Sequence, residues 1–130
     1  MTIHDPADKI RIRMAVRRFV ARCEGQVSLI ERADSLRELS RLATLITLPY
    51  VIAIEPAAQE ALRMVQLRAE DKARELITDD IQNFVRGDEH LRGKLKRSMF
   101  EAWTNLTGPL GHLRLWAQAK LAAAEEQNPI

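Results

Sequence analysis

A chain of 130 residues with 46% hydrophobic and 29% charged side chains is long enough to bury a core and too apolar to remain disordered. Its five glycines, five prolines and 5% aromatic content disfavour the short-strand, turn-dense pattern of sandwiches and barrels. The expectation is an all-α fold, a compact bundle of five or six helices forming a single domain over residues 1–130, with the last two helices paired as a helical hairpin.

The first helix signal is "HDPADK", where Asp5 can cap free N–H groups, Pro6 loses nothing by lacking an N–H, and Asp8 complements the helix dipole. Ile12, Ala15, Val16, Phe19 and Cys23 then recur at helical spacing, and Gly25 supplies a stop. These features predict a helix over Pro6–Glu24.

"SLIE" at Ser28 and "SLRE" at Ser35 both have capping-box spacing, and one of them starts helix two. Its stripe is Leu36, Leu39, Ala43 and Ile46, broadened by Leu42 and Leu45, and Pro49 ends it near Leu48. The window Leu42–Ile54 is the most apolar stretch, but thirteen residues fall short of the roughly 20 a membrane span needs, so it is read as buried core and no membrane association is expected. Within it "YVIAI" has no visible strand partner and is read as a buried helical turn or connector.

Helix three restarts at Pro56 and can reach Val85 on Leu62, Val65, Ala69, Ala73, Leu76 and Phe84, unless "TDD" at Thr78 breaks it. Asp88 caps a fourth helix with Leu91, Leu95, Met99, Ala102 or Trp103, and Leu106 on its stripe. "TGP" stops it, and Pro109 opens a fifth carrying Leu110, Leu113, Ala117, Leu121 and Ala124, before a frayed "NPI" tail.

No catalytic residue, metal site or cofactor is expected. His4, His90 and His112 lack ligand spacing, Cys23 lies on an apolar stripe, and the adjacent acids Asp79/Asp80 and Glu125/Glu126 diverge around a helix. A DNA-reading helix-turn-helix over Leu36–Glu55 is disfavoured, because its second helix would be the apolar "YVIAI". The lone cysteine and the lack of a secretory opening pattern suggest a cytoplasmic protein.

The charge is segregated. Residues 1–23 carry six basic against two acidic side chains, whereas residues 24–62 carry three against six and residues 63–90 five against seven. On a helical wheel with Ile12 at zero, Arg13 and Arg17 fall near 100–140° and Arg11, Arg18 and Arg22 near 240–280°, with Ile10, Met14 and Ala21 outward between them. Arginine mixed with exposed methionine and isoleucine suits a protein contact better than a phosphate track. The expected activity is therefore non-enzymatic: an adaptor, regulatory subunit or inhibitor engaging an acidic protein surface through Arg11, Arg13, Met14, Arg17, Arg18 and Arg22. Nucleic-acid binding through the same arginines is the alternative function. The structural alternative is that these arginines neutralise the acidic middle of their own chain. Trp103 and Trp116 sit at stripe boundaries in the last two helices, where the core is the leading role and self-association as a homodimer the second.

Overall fold

A computed structural model describes residues 6–130, so His4 and the cap expected from Asp5 lie outside the described residues. The fold is all-α: α1 (Pro6–Arg32), α2 (Leu36–Leu45), α3 (Pro56–Arg86), α4 (Glu89–Trp103) and α5 (Leu113–Gln127). Short 3-10 turns at Tyr50–Ile52 and Gly108–Leu110 complete it, and no strand occurs among the described residues.

The helix starts obey their caps. Ser35 Oγ accepts from the Glu38 amide at 3.2 Å, and an Asp88 carboxylate oxygen accepts from the Leu91 amide at 2.8 Å. Ser28 starts nothing: it lies inside α1, and its hydroxyl donates to the Glu24 carbonyl. Glu38 does not close a reciprocal box, because its carboxylate is held by the Arg41 guanidinium.

Gly25 does not end α1. Interrupting a helix with glycine costs roughly 1 kcal/mol, whereas burying one aliphatic side chain gains about 1.5–3 kcal/mol. The extra turns bury Ile30 completely and let Gln26 Nε2 donate to the Leu42 carbonyl at 2.7 Å. The same balance carries α3 through Thr78–Asp79–Asp80, since Ile77, Ile81 and Phe84 on either side are buried.

The window Leu42–Ile54 departs most from its expectation. The helix stops at Leu45, and the chain runs on to a 3-10 turn in which Ile52 is buried but Tyr50 is 95%, Val51 70% and Ile54 84% exposed. The tail is also more tied than expected, because the Asn128 amide and side chain both donate to the Ala124 carbonyl.

Side-chain pairs fix the helix directions. Glu31 reaches Arg68, and the groove residues Val20 and Val27 face Ala57 and Met64, so α1 runs parallel to α3. His112 with Glu70, and Arg74 over Trp116, make α5 parallel to α3 as well. α2 returns antiparallel to α1, and α4 and α5 form the expected hairpin, bridged by Arg92–Asn128 and Lys96–Glu125. α3 is thus a shared spine: α1 reaches it at Arg68 and α5 at Glu70, within one turn of each other. A continuous apolar core from Phe19 to Leu121 binds the helices together.

Candidate functional site

The basic residues of α1 lie on a surface that the rest of the fold leaves open. Phe19 is buried and Ile12, Ala15 and Val16 pack against the core, while Arg11, Arg13, Met14, Arg17, Arg18 and Arg22 are all exposed. The predicted division into two arginine flanks on either side of a buried stripe is therefore what the burial pattern displays.

Ion pairs take up several arginines elsewhere in the fold, though not Arg32, Arg37, Arg86 or Arg97. Arg41, Arg63, Arg68 and Arg74 are each matched to a carboxylate, respectively Glu38, Glu60, Glu31, and both Glu70 and Asp71. Arg92 and Arg114 donate to backbone carbonyls instead. In α1, Arg11 meets Asp8 at 3.7 Å, an exposed pair of little energetic weight. Arg13, Arg17, Arg18 and Arg22 have no ion pair with any described residue. The link between α1 and the acidic middle runs the other way, with α1 supplying the acid Glu31 and α3 the base Arg68. None of these four arginines makes an ion pair with the acidic middle of the chain among the described residues.

Beside them stands a feature that hydropathy alone misassigned. Four residues between α2 and the 3-10 turn carry the chain about 13 Å in extended form, and the turn packs against α1. Ile52 anchors the turn in the core, Ile52 N–H donates to Pro49, Ala53 N–H to Tyr50 and Glu55 N–H to Ile52, and Gln59 Nε2 holds the Ala53 carbonyl at 2.7 Å. A held turn thereby presents Tyr50, Val51 and Ile54 to solvent. Ile10 and Met14 on α1 are exposed as well. Only the lack of a pairing partner for "YVIAI" hinted that the segment lay at an edge.

The other candidates are scattered over the rest of the fold. Trp103 is 2% exposed and belongs to the core, with its ring edge-on to Phe100, so it offers no surface to a second copy; its indole N–H is buried without an acceptor among the described residues. Trp116 is half-buried, with the Arg74 and Lys120 cations 5.7 and 5.8 Å from its ring centre. His90 is exposed in the first turn of α4, and His112 lies 3.4 Å from Glu70. Of Asp79, Asp80 and His90, Asp80 alone lines a cleft, with Asn83 and Ser98. The Cys23 thiol is buried, which pushes its pKa up and keeps it neutral, with Arg22 acting weakly in the opposite sense. Among the described residues no group of three or more His, Cys, Asp and Glu is arranged to hold a metal, and no helix is long and apolar enough to cross a membrane.

No family model matches the chain, and no curated protein or solved structure is significantly similar to it. The site is read from its own chemistry.

Proposed function

We propose that the chain is a non-enzymatic binding module, an adaptor, regulatory subunit or inhibitor, whose first helix engages an acidic protein surface. The observation that carries this reading is that five exposed arginines cluster on the outer half of α1 and four of them, Arg13, Arg17, Arg18 and Arg22, have no ion pair with any described residue. Guanidinium groups suit planar, bidentate recognition of carboxylates. Tyr50, Val51, Ile54 and Met14 supply the apolar centre that protein interfaces use and phosphate-tracking surfaces do not require. The neutral, buried Cys23 is in keeping with a cytoplasmic setting.

Nucleic-acid binding is the second reading, because the same unpaired arginines would also attract phosphate. The test uses affinity capture from the native cell with nuclease treatment, then binding measurements on three variants with intact circular dichroism. Arg18→Glu with Arg22→Glu, Met14→Asp, and Tyr50→Ala should each weaken the captured protein by more than about 1 kcal/mol. If Met14→Asp and Tyr50→Ala bind as well as the parent, while the arginine variant loses a DNA or RNA complex whose affinity falls by about 0.9 log units per log unit of salt for each phosphate contacted, the surface belongs to nucleic acid.

A further inference from the structure

The two arginine flanks of α1 continue differently along the helix. On the flank with Arg11, Arg18 and Arg22, near 240–280°, no acid occupies the outer half of α1. The opposite flank carries both signs in order. Within about 60–140° it reads Lys9, Arg13, Arg17, then Val20, then Glu24, Val27 and Glu31. Three cations precede an apolar centre and two anions, and all of these charged side chains are exposed.

This flank borders an open apolar groove of about 530 Å³ between α1 and the first turns of α3. Val20, Cys23, Val27, Ala57, Ala61 and Met64 line it, with Glu24 and Glu60 at its rim. α2 packs elsewhere on the α1–α3 pair and does not line the groove. Met64 is 43% exposed there, and Val20 and Val27 are half-buried. Glu60 is taken by Arg63, and Glu31 by Arg68. Glu24, Arg13 and Arg17 have no ion pair with any described residue.

We propose that this flank and groove bind a second copy of the chain, with the two α1 helices antiparallel about a two-fold axis between Val20 and Ala21. The charge order is self-complementary only when reversed. Arg17 of each copy then faces Glu24 of the other, Arg13 lies between Glu24 and Glu31 of the other, the two Val20 side chains meet near the axis, and the Val27 and Met64 end of each groove covers the aliphatic stems of Arg13 and Arg17 of the other. A parallel arrangement would set arginine against arginine. One symmetry operation forms both Arg17–Glu24 pairs, as an isologous interface requires. The inference goes beyond the acidic-partner reading by reassigning Arg13 and Arg17 to the second copy; Arg11, Arg18 and Arg22 stay outward for the acidic partner, and the Arg18→Glu/Arg22→Glu variant tests that reading separately.

The test is sedimentation velocity of the full chain at low salt, up to about 100 µM, well above the micromolar constants of modest interfaces. The expected result is a concentration-dependent shift from monomer to dimer. Arg17→Glu and Glu24→Arg, both at exposed positions, should each weaken association about tenfold or more through like-charge contact. The double variant Arg17→Glu/Glu24→Arg should restore it to within about threefold, since the swapped pair re-forms across the axis. Met64→Lys, at a partly exposed position facing Arg13 and Arg17 of the other copy, should abolish it while leaving helicity intact. A parent that stays monomeric throughout, single variants that associate like the parent, or a double variant as weak as the singles would overturn the proposal.

Discussion

Ser40 Oγ donates to the Asn105 carbonyl at 2.7 Å, joining α2 to the connector between α4 and α5 across 65 residues of chain. Ser40 is buried, and its oxygen also receives the Thr107 amide at 3.4 Å. Ser40→Ala strips a partner from both backbone groups at a part-buried junction. It is expected to cost about 1–3 kcal/mol, read as a lower denaturation midpoint with an unchanged slope. An unaltered midpoint would mean that α2 and the hairpin are joined by apolar contact alone.

Arg92 ends two helices at once. Its guanidinium donates to the Val85 and Gly87 carbonyls at the end of α3 and to the Asn128 carbonyl beyond α5, and it lies against the Phe84 ring. Lysine has the charge but not the planar fork. Arg92→Ala and Arg92→Lys are both expected to destabilise, the former by about 2–3 kcal/mol, with faster amide exchange at the end of α5. Full rescue by lysine would show that only charge matters there.

Gly25 and Gly108 should respond to alanine in opposite directions. A Cβ at Gly25 meets nothing within 4 Å and the residue is helical, whereas Gly108 has φ +55°. Gly25→Ala is expected to stabilise by about 0.5–1 kcal/mol, and Gly108→Ala to destabilise by about 1–2 kcal/mol. Thermal denaturation of the two variants side by side decides the matter.

Asp80 gives a pH signature. Desolvation in the cleft beside Leu95, Met99 and Ala102, with Asp79 adding repulsion, raises its pKa. A carboxyl raised on folding holds more protons folded than unfolded, so its contribution to stability falls as pH climbs from the ordinary aspartate range through the raised value, and is constant above it. Asp80→Asn removes that penalty. The variant is expected to be more stable than the parent near pH 7, with the difference vanishing below about pH 4. A difference that is the same at both pH values would point to lost contacts rather than to ionisation.

Cys23 is expected to report unfolding. The thiol is 2% exposed and burial raises its pKa, so alkylation of the folded protein should be slow and should track the rate or extent of opening. Rapid stoichiometric labelling without loss of helicity would show the groove admitting reagent to a folded thiol.

Local grammar carried much of this fold into the sequence. Ser35 and Asp88 are legible as caps because a short polar side chain before an apolar stripe has few other uses, and the α5 stripe Leu113, Ala117 and Leu121 is buried as its spacing predicts. Gly25 and Thr78–Asp79–Asp80 misled because propensity acts at the scale of about 1 kcal/mol per residue and the burial of Ile30, Ile77 and Ile81 exceeds it. Hydropathy likewise could not separate Ile52, which enters the core, from Tyr50, Val51 and Ile54, which leave it. In a 3-10 turn the side that faces inward is set by the neighbouring helices, which local sequence does not contain.

The arginine surface was legible as a pattern but not as a vacancy. The Ile12–Val16–Phe19 stripe was enough to place Arg11, Arg13, Met14, Arg17, Arg18 and Arg22 on the exposed side. Whether they would find acids depended on helix directions. Because α1 and α3 run parallel, Glu31 meets Arg68 while Arg11, Arg13, Arg17 and Arg18 fall ahead of the start of α3 in that register.

At about 1.5 Å per residue the unbroken 31 residues of α3 measure roughly 46 Å, and helices packed along this length resist bending. The α1 arginines and the exposed Tyr50 turn sit at one extremity, while the Arg92–Asn128 clasp closes the other. The molecule is in effect a ruler. Anything held at the first extremity is kept a fixed distance, about nine helical turns, from anything held at the second. Lengthening α3 by one or two residues would change not only that spacing but also the rotational phase between the two ends, by about 100° per residue.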